Sequence, residues 1–135
     1  IRSLTSRGIT QLQKRVKEVA ESIAIANRCQ AKVTFPGNDF PPTVNDGECW
    51  ELGKSAAKEI LGDEQVSEMG SIMGGEDFSY YTEVIPGCFS FIGVGNPEID
   101  AIYGVHHPMF KVDEDALSLG TAIHVNTALK ALKTD

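Results

Sequence analysis

Apolar and polar positions along this chain follow two different periods, and the switches between them outline its elements. Ile1 to Thr5 alternates, with Ile1, Ser3 and Thr5 on one face and Arg2 and Leu4 on the other, which predicts a short strand. From Ile9 the period lengthens. Ile9, Leu12, Val16, Val19 and Ile23 recur at three- and four-residue steps, with Lys14, Arg15, Lys17, Glu18 and Glu21 opposite, predicting an amphipathic helix that Ser6 can cap and that ends near Asn27. Ala31 to Phe35 alternates again and stops at Pro36-Gly37, a second strand. Asn45 or Asp46 can cap a second helix, with Cys49, Leu52, Ala56 and Ile60 as its buried stripe and Gly62 as a left-handed stop. Beyond it the pattern predicts strands at Gln65 to Met69 and Phe89 to Val94, a short helix at Glu76 to Val84, and a last helix from an Asp113 cap to Lys133. Ala116, Leu119, Ile123, Leu129 and Leu132 are its candidates for burial. Helices alternating with short strands indicate an α/β layout, with no repeats or low-complexity tracts.

Three prolines, a glycine and two asparagines between Pro36 and Asn45 make that stretch a linker between two compact units. A length of 135 residues suits one modest domain or pieces of two. Ile1 rather than Met opens the sequence, so the chain is read as a processed product, a fragment or an excised piece. A net charge of -7 with a pI of about 4.9 argues against a nucleic-acid partner, because phosphate neutralisation needs clustered Lys and Arg. Apolar runs such as Phe89-Ser90-Phe91-Ile92 fall far short of the about 20 residues that cross a bilayer. A soluble protein of the cytoplasm or an organelle lumen is expected, with no membrane role. Cys29, Cys49 and Cys88 lack paired spacing, so neither a zinc cluster nor a closed disulfide set is indicated, and each reads as a small buried hydrophobe.

The densest metal-capable chemistry is His106-His107, between Gly104-Val105 and Pro108-Met109-Phe110. Neutral imidazole is a common ligand for zinc-like ions, yet two adjacent rings cannot easily face one ion, and ordinary loop histidines remain open as a reading. His124 falls inside the last helix, where a half-buried structural role is the plainer account. In Met73-Gly74-Gly75-Glu76-Asp77-Phe78 two carboxylates follow a glycine pair. That is either a turn whose acidic residues complement a helix dipole, or a place where backbone amides approach a substrate while Glu76 or Asp77 orders a ligand. Asp113-Glu114-Asp115 needs no role beyond capping. Arg2 is either a surface arginine or a clamp for a substrate carboxylate.

Taken in order, Arg2-Ser3-Leu4-Thr5, Pro41-Pro42-Thr43-Val44-Asn45, Met73 to Tyr80, Ile85-Pro86-Gly87, Val105 to Phe110 and Asp113 to Leu117 resemble a known family. They are similar to the C-terminal half of the amidohydrolase branch of the dinuclear metallocarboxypeptidases, which holds the plant indole-3-acetyl-amino acid hydrolases, the hippurate hydrolases and the N-acyl-amino acid amidohydrolases. The resemblance implies that residues 1–36 are the second half of a small α/β sandwich, a lid that also makes the dimer contact. Residues 37–44 are then the linker, and 45–135 the C-terminal part of an α/β metallopeptidase-type catalytic domain.

For activity, the resemblance implies hydrolysis of the amide bond of N-acyl amino acid conjugates, auxin conjugates among them, by two divalent ions (manganese or zinc) with a glutamate as general base. Aligned on Pro108, His106 takes the place of the last metal ligand and His107 is the alternative. Gly75, Glu76, Asp77 and Arg2 are the substrate-binding candidates. No catalytic base lies within this chain; it and the other ligands are expected upstream, in a missing N-terminal part of the same protein, so the 135 residues alone are expected to be inactive. The competing expectation is a non-catalytic lid and dimerisation fragment or an inactive module.

Overall fold

The computed structural model describes residues 1–37 and 40–133, and regular structure among them is helical. The chain divides into two compact units. The first comprises Ile1–Val44 and Met69–Ile85, and the second Asn45–Glu68 and Pro86–Asp135. Four helices are described: α1 (Ser6–Ala26), α2 (Gly47–Leu61), α3 (Ser79–Thr82) and α4 (Asp115–Ala131), with 3-10 turns at Asp63–Gln65 and Pro97–Ile99.

Helix α1 begins one residue earlier than Ser6 as cap would require. Thr5 is the cap, its hydroxyl accepting the Gly8 N–H at 3.0 Å. Gly8 leaves room there for the Ser3 hydroxyl, whose oxygen lies 2.1 Å from where a Cβ would stand and would have to move for any other residue. The helix ends at Asn27 as its pattern predicts, with Cys29 N–H donating to Ala24 O (2.8 Å) and Arg28 N–H to Ile25 O (3.0 Å). Those two bonds close a Schellman turn, and they force Arg28 to the left-handed φ of 56° that glycine usually takes. The apolar stripe Leu12, Val16, Val19 and Ile23 is formed but stays exposed.

In the second unit, α2 packs across α4. Asp46 caps α2, its carboxylate accepting from Glu48 and Cys49 N–H at 3.0 Å each. These donors hold the Asp46 carboxyl below the ordinary carboxylate range, the Cys49 N–H foremost. Gly62 ends the helix at φ 86° and ψ 156°, a region open to glycine but outside the left-handed helical basin expected for it. Of the predicted stripe, Ala56 is fully buried, Cys49 and Leu52 are half-buried, and Ile60 is exposed. Polar contacts seal the helix pair: Asn126 donates to Ala56 O (3.3 Å) and to the Glu59 carboxylate (3.0 Å), which also takes Lys130 Nζ at 2.6 Å. Leu119, Leu129 and Leu132 remain exposed and Ile123 half-buried, leaving Ala116 as the buried member of the predicted α4 set.

The four predicted strands at residues 1–5, 31–35, 65–69 and 89–94 are not strands among the described residues, so the α/β layout expected from them is not displayed there. The third starts at Gln65, which is the last residue of the 3-10 turn Asp63–Gln65 instead of a strand start. Among the described residues, strand-like backbone pairing is confined to a bridge between Asn96 and Ala101, with N–H to O distances of 2.9 Å both ways. Alternation makes one face of a strand apolar, but a strand exists only when a neighbour supplies ladder partners. No described helix is long and apolar enough to cross a membrane.

Arg28→Gly should raise stability by about 0.5–1 kcal/mol, the left-handed cost of a side chain (about 1–2 kcal/mol) less glycine's greater entropy in the unfolded chain. Urea denaturation checks it, and a loss of stability would show that the Arg28 side chain contributes more than its backbone costs.

Candidate functional site

A chain of local contacts carries the histidine loop. Asn96 and Ala101 bridge around the turn at Pro97–Ile99, helped by Asp100 at a left-handed φ of 60° and by Asn96 Oδ1 accepting Glu98 N–H at 3.0 Å. Ala101 is 2% exposed and anchors the near end of the loop. Asp113 anchors the far end. Its N–H donates to Val94 O (2.9 Å), one carboxylate oxygen accepts Asn96 Nδ2 (2.8 Å), and the other accepts Asp115 N–H (3.2 Å). It therefore does more than the capping expected of it. Glu114, the residue next to α4, makes no side-chain cap bond.

Between these anchors the two histidines part company. His107 N–H donates to Gly104 O at 3.2 Å, its ring stacks on Tyr103 at 4.3 Å and 7°, and its Nδ1 accepts Met109 N–H at 3.1 Å. With Nδ1 accepting, the lone pair of that nitrogen is already engaged. His106 is exposed, as His107 is, but neither of its ring nitrogens bonds to a protein group among the described residues, and its backbone holds φ at 68°. A non-glycine residue at positive φ stores about 1–3 kcal/mol, a cost found where backbone direction matters to function. Tyr103 carries the loop's stacking contact and was not singled out from sequence; an aromatic four positions before a histidine was its only signal.

Arg2 and the glycine turn belong to the first unit, the histidines to the second. Within the first, the Arg2 guanidinium donates to Met73 O, which brings two of the sequence candidates side by side. The turn after it is built from carbonyls. Glu76 O accepts Ser79 N–H (3.2 Å) and Ser79 Oγ–H (2.6 Å), and Asp77 O accepts Tyr80 N–H at 3.1 Å. Ser79 is thereby fully buried, and the helix expected from Glu76 shrinks to the single turn of α3. No protein donor among the described residues occupies the carboxylates of Glu76, half-buried, or Asp77, exposed. Gly75 faces Phe40, whose ring would lie 3.2 Å from an added Cβ and packs on Tyr80 at 5.8 Å. His124 lies exposed on α4.

No three His, Cys, Asp or Glu side chains among the described residues converge on a metal-sized space. The His106 imidazole is chemically able to donate to such an ion, but no described group of three completes a site around it.

The sequence model of peptidase family M20/M25/M40 matches residues 6–130. The chain belongs to that family. Relatives within it include IAA-amino acid hydrolase ILR1-like 2 of Arabidopsis thaliana, 41% identical over 129 residues that cover 93% of this chain and 29% of the relative. The N-acetyldiaminopimelate deacetylase of Bacillus subtilis is 32% identical over 94% of the chain and 32% of its own length. Thermostable carboxypeptidase 1 of Saccharolobus solfataricus is 31% identical, with 96% and 32% covered. This M20 chain thus spans about a third of the relatives it matches.

His106→Gly should leave stability unchanged or raise it by up to about 1 kcal/mol, because the left-handed backbone cost is removed. His107→Ala should lower it by about 1 kcal/mol through loss of the Met109 bond and the Tyr103 stack. Denaturation of both variants tests this, and a larger loss for His106→Gly than for His107→Ala would reverse the assignment of roles.

Proposed function

We propose that this M20 chain forms part of a metal-dependent amidohydrolase that cleaves the amide bond of N-acyl amino acid conjugates, with His106 giving one bond to a pair of divalent ions, manganese or zinc. The observation that carries the reading is the unengaged His106 ring, held at positive φ beside a His107 whose Nδ1 accepts the Met109 N–H. Family membership supports the reaction class, as do relatives whose names describe hydrolysis of an IAA-amino acid and deacetylation of N-acetyldiaminopimelate.

When bound, such ions supply Lewis-acid polarisation of the scissile carbonyl and acidify water. The chain's own residues orient and bind. His106 presents a neutral imidazole lone pair, and the Tyr103–His107 stack and the Met109 N–H hold the loop while it does so. Arg2, tied to Met73 O by one arm, keeps further N–H donors for the carboxylate of the amino acid moiety. Gly75 allows close backbone approach, and the carboxylates of Glu76 and Asp77 remain free to order a polar group of the substrate. The general base and other ligands are assigned to the remainder of a longer polypeptide, in keeping with relatives about three times this length.

In the same reading, residues 1–36 contribute the second half of an α/β sandwich lid through which two copies associate, 37–44 link, and 45–135 belong to the catalytic domain. The exposed apolar stripe of α1 supports a covering partner for the lid. The protein would act in a soluble compartment, cytoplasm or organelle lumen. A second reading, a non-catalytic lid or inactive module, draws on the lack of a three-donor cluster among the described residues.

Metal content and amide hydrolysis of the full-length parent decide between them. Loss of a supporting shell residue already costs 10- to 100-fold, so His106→Ala should lower the rate by more than about 100-fold and release metal, while His107→Ala keeps its metal. Unchanged stoichiometry and rate in His106→Ala would reject the first reading.

A further inference from the structure

Cys29 is exposed, whereas Cys49 and Cys88 are half-buried free thiols in the second unit. Three hydrogen bonds fix the chain on both sides of Cys88 against the start of α2. Asp46 N–H donates to Gly87 O (2.9 Å), Asn45 Nδ2 donates to Phe89 O (2.9 Å), and Phe89 N–H donates to Asn45 Oδ1 (2.8 Å). Cys49 and Gly53 are four residues apart in α2, so they share one face a single turn apart. Gly53 has no side chain, and Cys88 Sγ lies over it, 3.9 Å from where its Cβ would be. Cys49 is thus the neighbouring side chain on the face that Cys88 covers. The two thiols also feel each other: burial pushes the Cys88 thiol up, and a charge on Cys49 pushes it further.

We propose that Cys49 and Cys88 are a redox-responsive dithiol, converted by a small-molecule disulfide such as oxidised glutathione into an intramolecular disulfide. The thiolate of one cysteine attacks a sulfur of oxidised glutathione, forming a mixed disulfide and expelling one glutathione thiolate. The second cysteine, losing its proton, then attacks the protein sulfur of that mixed disulfide and expels the other glutathione. Two protein thiols are oxidised and one oxidised glutathione is reduced to two molecules of glutathione. The bond would tie the segment following Pro86 to the first turn of α2, close to where the chain enters this unit at Asn45 and re-enters it at Pro86.

Burial, together with the hydrogen bond to Asp46, also raises the Cys49 thiol. Both cysteines are therefore mainly protonated at neutral pH, and formation is slow there. Its rate should climb about tenfold per pH unit while the thiolate is the minor form.

Full-length native protein is incubated with oxidised glutathione at about pH 8.5, where thiolate is more abundant, then blocked with iodoacetamide, digested with trypsin and mapped by mass spectrometry. Residues 33–54 should appear joined to residues 59–111, two hydrogens lighter than the sum, and the link should vanish on reduction. In Cys49→Ser the link should be absent and residues 59–111 should carry one glutathione instead. Recovery of both cysteines only as separate alkylated or glutathione-bearing peptides, a link to Cys29, or a link formed only in urea would each overturn the proposal.

Discussion

Helix α2 lying across α4 over the fully buried methyl of Ala56 is the contact on which the second unit depends. A side chain as small as alanine lets the two backbones approach, and the approach brings Asn126 within reach of the Ala56 carbonyl and the Glu59 carboxylate. Glu59, hydrogen-bonded by Asn126 and Lys130, is held below the ordinary carboxylate range by those partners. The start of α2 is fixed just as locally, by the Asp46 cap and the Asn45–Phe89 pair. From this frame α4 runs back to Asp113, and Asp113 fastens Val94 and Asn96, which close the base of the histidine loop. Ile92 lies over Gly120 of α4, joining the intervening segment to the same frame.

Within the loop, adjacent histidines divide the work by backbone geometry. The left-handed turn at His106 sends its side chain away from the contacts that absorb His107. One of the two neighbouring imidazoles closes a turn; under the proposed function the other is left to coordinate, and that role would give the loop a reason to retain the strain at positive φ.

Helices were legible because their signals are local. The three- and four-residue spacing from Ile9, the Asp46 cap and the glycine at position 62 each act within one or two turns, and α1, α2 and α4 follow them to within a residue or two. What the sequence left undetermined is relational. Alternation at Ala31 to Phe35 says which faces a strand would have but not what it would pair with, and Leu129 and Leu132 carry the right period yet stay exposed. Asp113 read as a cap because its partners Asn96 and Val94 lie far off in sequence. The preference for His106 over His107 rests on resemblance; the contact that sets the two rings apart, the Met109 N–H on His107 Nδ1, depends on a turn that periodicity does not describe.

Anomalous diffraction from crystals of the full-length protein grown with zinc tests the central claim most directly. The account predicts an ion about 2.0–2.1 Å from a ring nitrogen of His106, with His107 still accepting from Met109. An ion bound through His107, or a fully coordinated ion pair with the His106 ring turned into solvent, would contradict it.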